Sequence, residues 1–275
     1  MHKVLLDDFL KRALQEDIGR GDLYMRLQSN IQIESYIIAR ENGILSGRIY
    51  IERLCELLNI DCKFACEDGV SFRRNDKIVV FKGEMSEILS AERTILNLLA
   101  HSSGIATLTH QYAQKLKETN CVLLDTRKTR PLLREFEKYS TRNGGAINHR
   151  LGLDDCLMLK DTHLAKVSSL NEFIKSIRSK IPFTAKIEVE CENLLQAKEV
   201  LESDIDILMC DNMNIEMIRD VVKMRDAIAP NVLLEASGNI TLDNVLEYAK
   251  SGVDAISSGA ITHQAVWVDL SMKIS

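Results

Sequence analysis

The chain has 275 residues, 45% hydrophobic and 27% charged, with a formal net charge of −5. Those proportions describe a globular protein with a sizeable core, built as one large or two smaller domains. The negative balance and a sequence pI near 5.8 exclude a general nucleic-acid binder, which needs a bulk positive field.

The N-terminal stretch MHKVLLDDFLKRALQEDIG reads as an amphipathic helix over about 4–15, not a leader, because Asp and Lys interrupt its apolar run. IQIESYIIA alternates like a half-buried strand, residues 49–58 are apolar at helical spacing, and KIVVFKG is a short strand. SEILSAERTILNLLAHSSGIATLTHQYAQKL is a long apolar helix, or two in series around Gly104. From Val122 onward the pattern changes to short apolar runs: VLLD, LMLK, TAKIEVE, DILMC, VLLEA and DAISSG. Helical stretches at 194–201, 215–228 and 242–250 separate the last of them. Continuous apolar strands alternating with helices predict a parallel sheet under helices, closed or nearly closed into a β/α barrel. A doubly wound open sheet is the alternative, but its Gly-x-Gly-x-x-Gly turn is missing. No segment approaches the roughly 18 uncharged apolar residues of a membrane span. The seven cysteines are odd in number and contain no Cys-x-x-Cys pair, so they read as reduced buried thiols of a cytoplasmic protein. His2, His101 and His110 have no chemical context in the sequence and read as structural.

In a β/α barrel the chemistry collects at the C-terminal ends of the strands. Arg127 and Lys128 follow the first run here; Lys160, Asp161 and His163 follow the second. Glu188 and Glu190 sit on the third, Asp211 and Asn212 end the fourth, and Glu235, Ser237 and Gly238 end the fifth. Ser257, Ser258 and Gly259 end the sixth, with His263 beyond. Residues 125–150 carry a local charge of +4 inside an acidic protein, while the later strands supply Glu190, Asp211 and Glu235. Cations on one wall and carboxylates on another suit an anionic substrate, with Arg forks for carboxylates and acids that can hold Mg²⁺ beside phosphates. The turns EASGNI and ISSGAI expose backbone N–H groups fit for a phosphate. The segment PLLREFEKYSTR reads as a helix with an exposed charged face carrying Arg134, Lys138 and Arg142.

The motifs DTRKTRP, NHRLGLDDCLMLKDTH, IEVE, CDN, LLEASGNI and SSGAITH, with AERTILNLLAHSSGIAT before them, closely resemble the quinolinate phosphoribosyltransferase family over nearly the whole chain. The resemblance implies an N-terminal α/β sandwich (1–103, joined by the tail 265–275) followed by an incomplete β/α barrel (104–264). It implies transfer of phosphoribose from 5-phosphoribosyl-1-pyrophosphate to quinolinate with loss of CO₂, giving nicotinate mononucleotide and pyrophosphate for NAD synthesis, with Mg²⁺ required. Arg127, His149, Arg150 and Lys160 would hold the quinolinate carboxylates, and Lys128 would sit near the pyrophosphate. Glu190 and Asp211 would bind the ribose hydroxyls and the metal. Ser237, Gly238, Ser258, Gly259 and His263 would cradle the 5′-phosphate. Lys128, Lys160, Glu190 and Asp211 are the residues implied in catalysis. Arg93 would reach into a neighbouring subunit's pocket, so a homodimer is the smallest active unit, and some relatives form hexamers. Ala146 stands where the family often has a third Gly, and Asn239 where Gly is usual. Rival readings are a transferase for nicotinate, a molybdenum-transport relative (which tends to lose DTRK and the Asp of CDN) and a non-catalytic phosphosugar sensor.

Overall fold

A computed structural model describes residues 3–27 and 29–275; His2 lies outside them. The chain forms two compact units. One takes the chain up to His110 with Glu135–Gly145 and Ala265–Ser275; the other takes Gln111–Arg134 and Ala146–Gln264.

The first unit opens with helix α1 (Lys3–Ile18), strand β1 (Gln32–Ala39), the short β2 (Gly43–Ile44) and helix α2 (Arg48–Leu58). Strands β3 (Asp61–Phe64), β4 (Ser71–Phe72) and β5 (Lys77–Glu84) follow, and then helix α3 (Met85–Leu116). Alternation in β1 buries Ile37 and Ala39 on the side opposite the half-exposed residues, the pattern of a sheet with one covered face. A core of Leu10, Tyr50, Ile51, Phe81 and Ile88 fills the space between helices and sheet, and the Tyr50 ring meets Phe136 edge-on at a centroid distance of 4.7 Å. Helix α3 is a single element of 32 residues. Gly104 does not break it. A Cβ at that position would overlap the backbone carbonyl of Val266, so the glycine serves the close approach of the C-terminal segment.

After β6 (Val122–Leu124), which belongs to the second unit, the chain enters helix α4 (Arg134–Asn143). The expected exposed charged face of this helix is overturned in part: Glu137 and Lys138 are 0% and 1% exposed and Arg134 is half-buried, while Glu135 and Arg142 stand in solvent. The reason is a polar interior prepared by α3. Glu137 bonds His101 Nε2 at 2.9 Å, and the Ser102 and Ser140 hydroxyls meet at 2.7 Å. Partnered charges can be buried, and charge alone therefore misassigned this face.

The second unit continues with β7 (Leu157–Leu159), α5 (Asp161–Leu164), α6 (Leu170–Arg178), β8 (Ile187–Cys191) and α7 (Leu194–Leu201). Next come β9 (Ile207–Asp211), α8 (Ile215–Ile228), β10 (Leu233–Ser237), α9 (Val245–Ala249), β11 (Ala255–Ser257) and α10 (Ala260–His263). Helices α7 and α8 start at Asn193 and Asn214, whose side chains accept the N–H of Gln196 and Met217. Helix α9 is shorter than the 242–250 pattern, because Asn244 turns back to accept the N–H of Thr241. The six strands are all parallel, in the order β6-β11-β10-β9-β8-β7. The first strand lies beside the last, which is barrel order, and β6 and β7 are left unpaired with each other. This is a β/α barrel open between its first two strands. Ile147 lies along the open edge of β6, donating its N–H to Leu123 and accepting from Asp125. The last strand, β12 (Leu270–Ile274), belongs to the first unit, where the sheet runs β12-β1-β5-β3 and β12 pairs antiparallel with β1. Among the described residues no helix is long and apolar enough to cross a membrane.

Gly104→Ala is expected to destabilise the protein by about 1–3 kcal/mol, because backbone rather than a movable side chain opposes the new methyl. Urea denaturation of the two proteins, compared at equal m, measures it.

Candidate active site

The strands are parallel and end on one side, so side chains far apart in sequence are delivered to one mouth of the barrel. They surround a cavity of ≈ 430 Å³. Its cationic wall is Arg127 and Lys128 after β6, Arg150 from the segment before β7, and Lys160 after β7. Glu190 ends β8, Asp211 ends β9, and Ser237 and Gly238 close β10. Nine of the predicted residues line this one space: these eight and His149.

The charges are arranged in layers. The Lys160 ammonium pairs with Glu190 Oε2. Asn212 Nδ2 donates to Asp211 Oδ2 at 2.8 Å, and its Oδ1 accepts from Asn239 Nδ2 at 3.0 Å, joining β9 to the turn after β10. Gly238 has φ +89°, and a Cβ there would strike Asn212. Asn239 follows with φ 53°, a left-handed conformation that Asn tolerates, so it fills a glycine's place without breaking the turn. Arg127 has its Nε buried with no partner among the described residues. Burial, then the nearby Arg150 and Arg134, pulls its guanidinium below the usual value. An Arg N–H left unpaired between like charges is a strong pull on an anion.

The remaining predicted residues are placed differently. At Gly259, a Cβ would meet Lys128 and His263, so the missing side chain lets these two side chains come together. Ser258 does not line the cavity: it is buried, its hydroxyl bonds the Ile240 carbonyl at 3.1 Å, and its N–H bonds Leu124. Arg93 is exposed on α3 in the first unit, near Glu16 and Asp17, and is not among the residues around this cavity.

Sequence reasoning missed the depth of the site. Under His149 lie Glu188 and Glu235, 0% and 1% exposed. His149 Nε2 is 3.3 Å from Glu188 Oε1 and 3.2 Å from Glu235 Oε2. Burial raises the Glu235 carboxyl, with His149 pulling it back down. For His149 burial lowers the pKa, but the two carboxylates outweigh it and on charge alone would push it up to about 10. The Arg150 backbone N–H, donated to Nδ1 at 2.7 Å, works against that second proton, because it occupies the lone pair the proton would take. The contact favours one proton, on Nε2. The cluster has the donor types of a metal site, all within 4.8 Å, yet a metal on Nε2 would need the lone pair that this tautomer lacks. The only signal available beforehand was the position of Glu188 and Glu235 inside apolar strands, where an acid must have a partner.

The comparisons with known proteins agree with this fold. The model of the quinolinate phosphoribosyl transferase C-terminal domain matches residues 105–273, and that of the N-terminal domain matches residues 22–103. The chain belongs to the quinolinate phosphoribosyltransferase family. It is 34% identical over 275 residues to the nicotinate-nucleotide pyrophosphorylase (carboxylating) of Mycobacterium leprae, covering 97% of this chain and 96% of that protein. It is 40% identical over 273 residues to a "probable nicotinate-nucleotide pyrophosphorylase (carboxylating)" of Methanocaldococcus jannaschii, covering 96% and 95%. Among solved structures, the nicotinate-nucleotide pyrophosphorylase of Francisella tularensis superposes with a TM-score of 0.92 at 33% identity, covering 100% of this chain and 98% of that one.

One consequence concerns Cys156, beside Glu188 at the lower side of the cluster. Burial, then the Glu188 charge, pushes its thiol up to about 12, whereas a hydrogen bond from Cys55 lowers Cys62. Alkylation needs the thiolate. Iodoacetamide at pH 8 is therefore expected to label Cys62 well before Cys156, with Cys156 labelling rising as pH approaches 12. Peptide mass spectrometry across a pH series checks the order.

Proposed function

We propose a division of labour within this pocket for the reaction that the chain catalyses as a member of its family. That reaction transfers phosphoribose from 5-phosphoribosyl-1-pyrophosphate to quinolinate with loss of CO₂, giving nicotinate mononucleotide and pyrophosphate for NAD synthesis. Arg127, Arg150 and Lys160 hold the two quinolinate carboxylates. Lys128 meets the pyrophosphate, and Glu190 and Asp211 meet the ribose. Ser237 and Gly238, with Gly259 and His263 near Lys128, hold the 5′-phosphate. The observation that carries this reading is the convergence of four cations on one cavity, one of them with a buried N–H still unpaired. A dianion and a pyrophosphate together supply the charge that such a wall needs.

Mg²⁺ fits the same pocket. Glu190 Oε1 and Asp211 Oδ1 accept no hydrogen bond among the described residues, while their other oxygens are oriented by Lys160 and Asn212. Two hard oxygens on neighbouring strands suit an ion completed by substrate phosphates. When bound it neutralises charge on the departing pyrophosphate. The protein does the rest by position. As pyrophosphate leaves, C1 of the ribose becomes electron-poor, and the carboxylates of Glu190 and Asp211 favour that positive charge. Lys128 favours the negative charge of the leaving group. Arg127, Arg150 and Lys160 hold the pyridine ring with its nitrogen toward C1. Once the N–C1 bond forms, the cationic nitrogen stabilises the electron pair left on C2 when the C2–carboxylate bond breaks and CO₂ departs, and C2 then accepts a proton.

A homodimer or hexamer with Arg93 completing a neighbour's pocket fits the exposure of Arg93 on α3 and its distance in sequence from the cavity-lining residues. Seven free cysteines support a cytoplasmic setting.

Arg127→Ala is expected to raise the quinolinate KM on the order of 10- to 100-fold, since a charge-assisted bond is worth about 1.5–3 kcal/mol. The KM for phosphoribosyl pyrophosphate should change far less. Release of CO₂ from carboxyl-labelled quinolinate, with and without Mg²⁺ and with nicotinate as a control acceptor, measures all three points; an unchanged quinolinate KM removes Arg127 from the carboxylate site.

A further inference from the structure

His149 is the expected quinolinate ligand whose geometry does not suit that role. Both of its ring nitrogens face protein: Nε2 toward Glu188 and Glu235, Nδ1 toward the Arg150 amide. Its own backbone N–H is also held, donating to Asp125 Oδ1 at 2.8 Å, while Asn148 Nδ2 donates to Asp125 Oδ2 at 2.6 Å. Asp125 is fully buried at the end of β6, two residues before Arg127. Three buried carboxylates thus lie behind the cationic wall and grip the residue that precedes one of its cations, Arg150.

The location explains the need. Residues 148–156 have no regular helix or strand, and they run where the barrel is open between β6 and β7. Only Ile147 is tied to a strand there. Beneath them is a second cavity of ≈ 660 Å³, walled by apolar residues such as Leu124, Ile147 and Ile207. His149, Arg150 and Glu235 border both this cavity and the one above. A segment without ladder bonds, beside an open cavity, is fixed by side chains instead: Arg134 Nη1 donates to the Leu151 carbonyl at 3.2 Å and the Leu151 N–H donates to Asp155 Oδ2 at 2.9 Å, which leaves His149 and Arg150 to be held by their own contacts. Arg150 sits on that segment, and its guanidinium is aimed by bonds from Nη1 to the Cys156 carbonyl (3.0 Å) and from Nη2 to Met158 Sδ (3.4 Å). The guanidinium can be placed only if the backbone at 150 is placed.

We infer that Glu188 and Glu235 are positioning residues that act through His149 on Arg150. By accepting the Nε2 proton they hold His149 in the tautomer whose bare Nδ1 accepts the Arg150 N–H, and so set the cation that meets the quinolinate carboxylate. This rests on the reading of Arg150 as a carboxylate ligand. The role assigned to His149 differs from direct contact with substrate, and the difference is measurable. An Asn side chain places its Oδ1 near the position of imidazole Nδ1, so it keeps the acceptor for Arg150 and loses the reach to the carboxylates.

The test uses the full-length enzyme with quinolinate and phosphoribosyl pyrophosphate. His149→Ala, Glu188→Gln and Glu235→Gln are expected to raise the quinolinate KM on the order of 10- to 100-fold, the effect of a misplaced binding group, with the phosphoribosyl pyrophosphate KM unchanged within about 3-fold. His149→Asn should recover most of what His149→Ala loses. Equal damage from His149→Asn and His149→Ala, or parallel shifts in both KM values, overturns the inference. Nitrogen-15 spectra of the wild-type protein labelled at histidine provide a second readout that needs no variant to fold. At pH 8 His149 should show a protonated Nε2 and an unprotonated Nδ1; two protonated ring nitrogens would overturn the assignment. Quinolinate turnover by the wild type tests the underlying reading separately from the tautomer.

Discussion

Four cations sharing one pocket repel one another, and the rest of the second unit is arranged around that constraint. Isolated like charges at a barrel mouth would swing apart into solvent. Here Lys160 is paired with Glu190, and the residue before Arg150 is gripped by Asp125, Glu188 and Glu235 from below. Asp125, Glu188 and Glu235 are buried and are screened by salt far less than surface pairs are. They hold the positive wall in place, and the buried Nε–H of Arg127 is left without a partner among the described residues. A site ordered before its ligand arrives loses less freedom on binding.

The opening of the barrel between β6 and β7 belongs to the same design. A closed barrel would fill that position with a ladder of backbone bonds. The open one admits an irregular segment carrying His149 and Arg150, and polar side chains must then do what a ladder would have done. The price is a set of acids inside apolar strands, where each must find a donor. In the first unit the same logic produces a buried polar seam, in which Glu137 meets His101 and Ser140 meets Ser102.

Much of this was legible in the residues. Apolar runs separated by helical spacing located strands β6 to β11 within three residues at either end, because a strand covered on both faces must be apolar along its length. The polar residues at the strand ends pointed to one site, because parallel order makes those ends converge. The buried face of α4 was not legible, since Glu137 and Lys138 look like solvated charges until their partners on another helix are known. Whether one helix or two run past Gly104 was left open by the sequence, and only the carbonyl of Val266 shows what the glycine serves.

Local periodicity, strand-end chemistry and the long motifs around Arg127, Lys160 and Asp211 were thus determined by the sequence alone, since each depends on neighbours within a few residues. The tertiary structure alone decided which strand lies beside which, where the barrel opens, and that Glu188 and Glu235 meet His149. Those outcomes depend on contacts between residues separated by 39 positions or more in the case of His149 and Glu188, and no local pattern encodes a partner at that distance. Burial then sets their chemistry, because a carboxylate's proton affinity depends on what surrounds it and not on its place in the chain.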